Sequence, residues 1–453
     1  MTDLTSYAAT RLAELIRTKA ISSVDVATAF LAQIEEFNPS LNAIVTLSPH
    51  VMDQAKQADE ALRRGDAVGP LHGVPFTVKD TIDTAGLRTT SGSALRANRI
   101  AETDAPAVAR VKRAGAILLG KTNTAEMAMD YTADNPVFGR TVNPFDQTRT
   151  PGGSSGGEAA AIARGLSPMG LGSDLAGSIR IPAHFCGIAG FKPSTGRVPG
   201  EGQCPPAAGP YALGSVIGPM AKCVQDLRVL FNVLCKNSSA ADQPDMKGQR
   251  IAWYTDDAQS PVTAETRSAV QLAARALTDA GMIVEERRPP GVEFANQMWL
   301  KLFSRATVVF LRKMYSGKEE IAGSFIRWRL ANADETPPPS LDEYINSWFE
   351  RDRMRAELLE WMNSCPLLLA PVGAVPAPKH DALKVDVDGT PVTAFRAFSY
   401  AQAFNAFDLP ALTVPVLRSA ENLPIGVQIV GRPGDEERIF AASEIIERTC
   451  QQQ

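Results

Sequence analysis

The sequence predicts an α/β fold, and its pattern of apolar residues carries the prediction. From about residue 70 to residue 235, short apolar segments rich in β-branched residues alternate with segments at helical spacing. The chain has 453 residues, of which 44% are hydrophobic and 21% are charged, so it can bury a large core. Length alone favours two or three domains.

Residues 1–65 are predicted to form an N-terminal helical region. Ser22 stands three places before Asp25, which is the spacing of a capping box. In a capping box each of the two side chains bonds to the backbone amide of the other residue, so a helix is expected to begin here.

Residues 66–236 hold every motif with chemical meaning. The apolar run from Gly73 to Lys79 predicts a buried strand that ends at the lysine, and Ala116 to Leu119 predicts a second buried strand. An amphipathic helix is expected over Ala107 to Arg113, and a helix that a glycine ends over Glu158 to Gly165.

Residues 237–453 carry further predicted elements. The polar residues 236–244 predict a surface connection, Ile251 to Tyr254 a strand, and Thr263 to Gly281 a helix. Residues 292–360 are rich in Phe, Trp, Leu, Arg and Glu and predict a helical cover on the core. An apolar cover above a polar floor is usual for a ligand pocket, so this cover is also a candidate pocket wall.

The composition argues against several functional classes. The formal net charge is −4 without a concentrated basic stripe, so we expect no nucleic-acid partner. No apolar run is long enough to span a bilayer, and residues 1–4 do not resemble the start of a signal peptide; we expect a cytoplasmic protein without a membrane partner. The six cysteines lack the spacing of a zinc site or a disulfide framework. We expect neither a metal nor an organic cofactor.

Two glycine-rich segments predict a nucleophile and an anion cradle. Residues 151–157 have the sequence PGGSSGG and residues 172–178 the sequence GSDLAGS, so Ser154, Ser155 and Ser178 stand among glycines. Glycine permits backbone conformations in which consecutive N–H groups point at a developing negative charge. A serine hydroxyl, however, needs a neighbouring base to become a nucleophile.

Lys79 is the candidate base. None of the four histidines stands in a setting that indicates a partner for these serines. Burial at the end of a strand disfavours the ammonium form and lowers the pKa of a lysine, so the neutral amine can accept a proton near neutral pH. Taken singly, a lysine at a strand end is more often a solvated edge charge, and a Gly/Ser run is more often a linker.

The complete set of motifs resembles the amidase signature family of hydrolases. Lys79, Ser154 and Ser178 match the Lys/cis-Ser/Ser triad of that family at its typical spacings of 75 and 24 residues. The resemblance covers nearly the whole chain and includes LHGVP at 71–75, GKTN at 120–123, FCGIAGFKP at 185–193 and LPIGVQIVG at 423–431. It implies one α/β domain with a large mixed, mostly parallel central sheet covered by helices on both faces, and residues 237–453 would be the C-terminal part of this same domain.

The resemblance also implies a division of labour within the site. Ser178 would attack the substrate carbonyl, Ser154 would carry the proton, and neutral Lys79 would be the final base. A cis peptide bond would precede Ser154. The oxyanion would be held by four backbone N–H groups, those of Leu175, Ala176, Gly177 and Ser178.

Further residues near these motifs are assigned supporting or binding roles. Asp174 and Arg180 flank the nucleophile and are expected to fix its loop and electrostatics rather than to react. The candidate substrate pocket consists of Met127, Met129, Tyr131 and Ser155. Plain core side chains would show the same pattern as the first three, and the Ser155 hydroxyl could equally bond to the backbone.

Residues 115–122 also match the phosphate-loop expression GxxxxGK[ST]. In a working phosphate loop the intervening residues wrap around phosphates, whereas here they predict a buried strand. We interpret the match as accidental and predict no nucleotide binding.

The sequence therefore predicts an amidase that cleaves carboxylic amide C–N bonds through an acyl-serine intermediate. The composition of the cover favours aryl or other hydrophobic amides as substrates. Carbamates (urethanes) and esters are alternative substrates, because the same chemistry accepts all three kinds of carbonyl. A small-molecule amide or carbamate is the expected partner, and a homodimer is one option. The alternative is a glutaminase subunit of an amidotransferase, which acts with a partner protein.

Overall fold

An eleven-stranded sheet runs through the protein in a computed structural model that describes residues 3–235, 244–335 and 337–450. Its strands are β1 (Ile44–Leu47), β2 (Pro75–Lys79), β3 (Ile117–Thr122), β4 (Met169–Asp174), β5 (Ala189–Lys192), β6 (Val216–Ala221), β7 (Arg250–Trp253), β8 (Ile283–Glu286), β9 (Leu367–Pro371), β12 (Ala411–Arg418) and β13 (Pro424–Val430). Between them, β10 (Lys384–Val387) and β11 (Thr390–Thr393) form a separate hairpin.

The strand order is β1-β3-β2-β4-β6-β5-β12-β13-β9-β7-β8. The sheet is mixed, as expected, but parallel pairing is less frequent than the expected "mostly parallel" sheet would have. Among the described strands only four neighbouring pairs are parallel, namely β2–β3, β2–β4, β7–β8 and β7–β9. The other neighbours are antiparallel, because the chain re-enters the sheet in the opposite direction at β6 and through the β12–β13 hairpin.

Fifteen α-helices lie in the described residues. They are α1 (Ala9–Arg17), α2 (Ser23–Leu41), α3 (Val51–Arg64), α4 (Pro106–Arg113), α5 (Gly156–Arg164), α6 (Arg180–Cys186), α7 (Val224–Leu234), α8 (Ala264–Asp279), α9 (Ala295–Trp299), α10 (Arg305–Tyr315), α11 (Ser324–Ala331), α12 (Leu341–Trp361), α13 (Ala394–Ala397), α14 (Ser399–Ala406) and α15 (Glu436–Cys450). None of the described helices is long and apolar enough to cross a membrane.

Most local predictions agree with these bounds. Ser22 and Asp25 form both bonds of the capping box at the start of α2, and α5 ends at Gly165 in the left-handed conformation. The predicted N-terminal helical region contains α1, α2 and α3 but also one strand that was not predicted, because residues 44–47 form β1. This short β-branched run pairs antiparallel with β3 and so extends the sheet at its edge. Residues 236–243 of the predicted surface connection lie outside the described residues.

Different apolar clusters cover the two faces of the sheet. In β12, Leu412 and Val414 belong to a large cluster that includes residues of α7, α8 and α15. Ala411 faces the other way and belongs to a second cluster that includes residues of α9 and α14. Because neighbouring residues of a strand point to opposite faces, both faces of the sheet are buried.

The predicted cover is helical and is anchored to the core beside the site. It consists of α9, a π-helical turn at Leu300–Ser304, α10, α11 and α12. The buried Glu126, just after β3, accepts a hydrogen bond from the Tyr315 hydroxyl at 2.6 Å and another from the Gly323 N–H at 2.7 Å. Both donors belong to the cover, so one core carboxylate holds two of its segments.

Candidate active site

Lys79 ends the parallel strand β2 and is completely buried. Its Nζ lies 2.6 Å from the Oγ of Ser154 and 2.9 Å from the Oγ of Ser173. Burial lowers the pKa of Lys79 to about 7, although the charges of Asp174 and Glu158 act in the opposite direction. The lysine is thus a base that is partly neutral near pH 7 and that contacts two hydroxyl groups.

Ser154 lies in the turn that leads into α5, and the sheet topology brings it to Lys79. The peptide bond between Gly153 and Ser154 is cis, as the family resemblance implied. Ser154 is 1% exposed, so it is nearly sealed from solvent. Its proximity to Lys79 agrees with the sequence-based pairing of these two residues.

Ser178 lies in the turn between β4 and α6. It is 7% exposed, compared with 1% for Ser154 and 0% for Lys79. Its backbone carbonyl accepts a hydrogen bond from the Ser155 N–H at 3.1 Å, which ties the two glycine-rich segments together. Of the three predicted triad residues, Ser178 is therefore the most exposed and Lys79 the least.

Asp174 and Arg180 form a fully buried ion pair beneath the Ser178 turn. The guanidinium also donates to Gln428 at 2.9 Å and to Asn405 at 2.6 Å. Burial raises the pKa of Asp174, but the Arg180 charge and hydrogen bonds outweigh it, so the pKa lies well below its ordinary value. The carboxylate stays ionised and holds the turn, in agreement with the supporting role expected for both residues.

The four predicted oxyanion donors are not equivalent. The Gly177 N–H donates to the Asp174 carboxylate at 2.8 Å, so this amide is already occupied and the prediction needs correction there. The N–H groups of Leu175, Ala176 and Ser178 donate to no acceptor among the described residues. Three amides next to Ser178 thus remain free to bind an anion.

The four predicted pocket residues differ in their surroundings. Met127 is fully buried in a cluster with Cys204 and Leu311, so it is part of the core here, and Met129 packs against the same cluster. The Ser155 hydroxyl bonds to the backbone of Ser173, the second of the two roles considered for it.

Tyr131 is the predicted pocket residue with the closest link to the nucleophile loop. Its hydroxyl donates to the Ala176 carbonyl at 2.8 Å. Its ring stacks on Phe395 with centroids 5.8 Å apart and meets Phe398 edge-on at 5.5 Å. These aromatic rings form an apolar wall beside the loop that carries Ser178.

Two residues near Lys79 were not singled out from the sequence. Ser173 precedes Asp174 at the end of β4, and the parallel pairing of β2 with β4 brings the ends of both strands together. Glu158 in α5 is fully buried and accepts hydrogen bonds from the hydroxyls of Thr77 and Thr122. Burial raises the pKa of Glu158 to about 7. The position of Ser173 could have been inferred from the strand pairing, whereas Glu158 gave no signal within its helix.

The competing motifs have structural explanations. The GKT of the phosphate-loop match lies inside the buried strand β3, and Lys121 donates to the Ile82 carbonyl and to Thr84. His184 is buried, and its two ring nitrogens bond to the backbone at Val375 and Gly426. In the described part of the chain, no group of three His, Cys, Asp or Glu side chains could hold a metal ion.

Comparison with protein-family models identifies the class to which this fold belongs. The Amidase family model matches residues 25–440. The protein is thus an enzyme of the amide-hydrolase class. The chain belongs to the amidase signature family, which confirms the family inferred from its motifs.

The similarity to individual relatives extends along nearly the whole chain. Human fatty-acid amide hydrolase 2 is 31% identical, with 97% of this chain and 88% of the relative covered. One subunit of the glutamyl-tRNA(Gln) amidotransferase of Carboxydothermus hydrogenoformans is also 31% identical, with coverage of 99% and 98%. The crystal structure of a bacterial aryl acylamidase superimposes with a TM-score of 0.87 at 26% identity, covering 98% of this chain and 96% of that one.

Proposed function

We propose that the protein hydrolyses carboxylic amides through an acyl-Ser178 intermediate. The observation that carries the proposal is the contact of 2.6 Å between the buried Lys79 amine and the Ser154 hydroxyl, in a segment that the Ser155 N–H ties to the Ser178 carbonyl. A lysine that is partly neutral near pH 7 can draw a proton through one hydroxyl from a second, more exposed hydroxyl. This is the arrangement that an otherwise weak serine nucleophile needs.

The steps follow from these positions. The Ser178 Oγ attacks the substrate carbonyl while its proton passes to Ser154 and the Ser154 proton passes to Lys79. The free amides of Leu175, Ala176 and Ser178 are the donors for the oxyanion, and removal of one such donor typically costs about 3 kcal/mol of transition-state stabilisation. Ser154 then gives its proton to the departing nitrogen and regains one from the Lys79 ammonium, and water cleaves the acyl-Ser178 ester by the same relay.

The substrate class is proposed to be hydrophobic amides, with aryl amides favoured and carbamates or esters also accepted. Tyr131, Phe395 and Phe398 form an aromatic wall beside the nucleophile loop, and Trp299 adds a ring 5.2 Å from Phe395. Such rings bind apolar acyl or aryl groups by burial and by edge contacts. The names of two relatives, a fatty-acid amide hydrolase and an aryl acylamidase, support this choice.

A partner-dependent glutaminase is the second candidate because of one observation. The amidotransferase relative covers this chain as completely as the hydrolases do. That function predicts glutamine hydrolysis that depends on a partner protein. A free-standing amidase acts alone.

The test combines mass spectrometry with a matched substrate panel. The protein is incubated with 4-nitroacetanilide, benzamide, ethyl N-phenylcarbamate, 4-nitrophenyl acetate and glutamine, and separately with a fluorophosphonate. We expect one adduct per chain and turnover of the anilide. Ser178→Ala should abolish both, whereas Ser167→Ala should change neither, because Ser167 is a buried serine that bonds to the Met169 carbonyl outside the site. Labelling that persists in Ser178→Ala would overturn the proposal, and turnover of glutamine alone would favour the second candidate.

A further inference from the structure

Two aromatic side chains hold the carbonyl groups of the loop that precedes Ser178. The Trp299 indole N–H donates to the Leu175 carbonyl at 2.8 Å, and the Tyr131 hydroxyl donates to the Ala176 carbonyl at 2.8 Å. The third carbonyl of the loop, that of Gly177, accepts the Ile181 N–H at 2.7 Å. Three consecutive peptide units are therefore anchored at their oxygen atoms.

Anchoring the oxygen of a peptide unit also fixes its N–H. The peptide bond is planar, and in the trans form its C=O and N–H point in opposite directions. The bonds from Leu175 to Ser178 are all trans. Trp299 therefore sets the direction of the Ala176 N–H, and Tyr131 sets that of the Gly177 N–H.

The N–H groups of Ala176 and Gly177 differ in whether they have a hydrogen-bond acceptor. The Gly177 N–H is held by Asp174, so the unit between Ala176 and Gly177 is fixed at both ends, by Tyr131 and by Asp174. The Ala176 N–H has no acceptor among the described residues and points away from Trp299. Trp299 thus orients a free donor, and Tyr131 fixes the neighbouring unit on which that donor's position depends.

Both anchors lead back to helix α9 of the cover. Trp299 is the last residue of α9, and Asn296 lies three residues earlier on the same side of that helix. Asn296 donates to the Gln402 side chain, and Gln402 in turn donates to the Tyr131 hydroxyl at 2.8 Å. The position of α9 therefore affects the hydrogen bonds to two successive carbonyls of the loop, those of Leu175 and Ala176.

We propose that Trp299 and Tyr131 are positioning residues for amide hydrolysis, which orient the Ala176 N–H toward the oxyanion and make its alignment depend on the seating of α9. This inference rests on the proposed function and adds to it the residues that align the anion site. Neither side chain reacts. Each acts through a backbone carbonyl on the opposite side of the loop from the developing charge.

The first part of the test is kinetic. Trp299→Phe and Tyr131→Phe each retain an aromatic ring and remove one hydrogen-bond donor. A misaligned N–H group loses much of its stabilising effect on the oxyanion. We therefore expect kcat for 4-nitroacetanilide to fall roughly 10- to 100-fold in each variant. KM should change little, since the oxyanion forms only in the transition state, and fluorophosphonate labelling of Ser178 should slow in parallel with kcat.

The matched controls remove similar groups elsewhere in the cover. Tyr344→Phe deletes a hydroxyl that donates to the Leu302 carbonyl, and Trp328→Phe alters a largely exposed tryptophan. Both controls should retain wild-type kcat and labelling rate. Because phenylalanine keeps a ring in the proposed substrate wall, the Trp299 and Tyr131 variants test the lost donors, and an unchanged kcat in both, with or without a rise of KM, would overturn the proposal.

The second part of the test does not depend on activity. Hydrogen exchange measured on the peptide that spans residues 174–181 should become faster in Trp299→Phe and Tyr131→Phe and remain unchanged in the two controls. Unchanged exchange in both variants would overturn the proposal, whatever the enzyme kinetics. If wild-type protein shows no adduct at Ser178, the proposed function fails, while the exchange result still decides whether these residues hold the loop.

Discussion

The Oγ of Ser173 lies 2.9 Å from the Nζ of Lys79, so the buried lysine has a second hydroxyl partner besides Ser154. The two serines come from different segments, one at the end of β4 and one in the turn before α5. Both oxygens can accept a hydrogen bond from the amine, and such bonds favour its protonated form. Ser173 is thus a means of adjusting the basicity of Lys79.

Ser173→Ala should lower the pKa of Lys79 further. The substitution removes one acceptor from the ammonium form and adds apolar surroundings, and both changes disfavour the charge. The acidic limb of the profile of kcat/KM against pH should move down by about half a unit to one unit. A limb that stays in place would show that Ser173 does not sense the charge on Lys79. Ser167→Ala is the matched control.

For the wild-type protein, kcat/KM is predicted to rise with pH. The pKa of Lys79 is lowered to about 7 by burial, against the opposing charges of Asp174 and Glu158. The neutral amine is the active form, so kcat/KM should fall about tenfold per pH unit below that pKa and level off above it. Steady-state kinetics with 4-nitroacetanilide from pH 5 to 9 measure this. A profile that declines as the pH rises through 7 would contradict the role of neutral Lys79.

The same lysine should make stability depend on pH. Its pKa is about 7 in the folded protein and about 10.4 in an unfolded chain, so between these values the unfolded state binds more protons. The free energy of unfolding therefore rises with pH in this window, by at most about 1.4 kcal/mol per unit. Lys79→Met should lack this contribution, along with activity. Denaturant titrations of both proteins at pH 7 and pH 9 give the difference, and equal pH dependence would contradict the shift.

Asp174→Asn should be strongly destabilising. The substitution leaves the Arg180 guanidinium buried without its counter-charge, which typically costs about 3 to 5 kcal/mol. Glu14→Gln is the control, because it breaks the exposed pair of Glu14 with Arg11 and should change stability by less than about 1 kcal/mol. Thermal unfolding followed by circular dichroism compares the two. Similar melting temperatures would mean that the buried pair is dispensable.

Gly177→Ala should disable the site. Gly177 has a φ of +103°, and a Cβ there would lie 2.7 Å from the Cβ of Ala401. The loop must shift, so the fluorophosphonate labelling rate of Ser178 should fall along with stability. Gly65→Ala is matched in backbone conformation, with a φ of +80° but open space around the added atom. It should cost only about 1 to 2 kcal/mol and leave labelling intact. Normal labelling of Gly177→Ala would show that the loop tolerates movement.

The sequence by itself determined the features that depend on local spacing. An apolar run that ends in a lysine indicated the buried base, glycines around three serines indicated the turns, and the positions of Lys79, Ser154 and Ser178 indicated the family. The capping box at Ser22 and the glycine end of α5 were also predictable, because each depends on residues a few places apart.

Only the tertiary structure decided which groups meet across long separations. The pairing of β2 with β4 brings Ser173 to Lys79, and the folding back of the cover brings Trp299 to Leu175, which is 124 residues away in the sequence. The occupation of the Gly177 amide depends on how the Asp174 carboxylate turns beneath its own loop. Sequence pattern reports which face of an element is apolar, but it does not report which polar atoms satisfy one another once those faces pack.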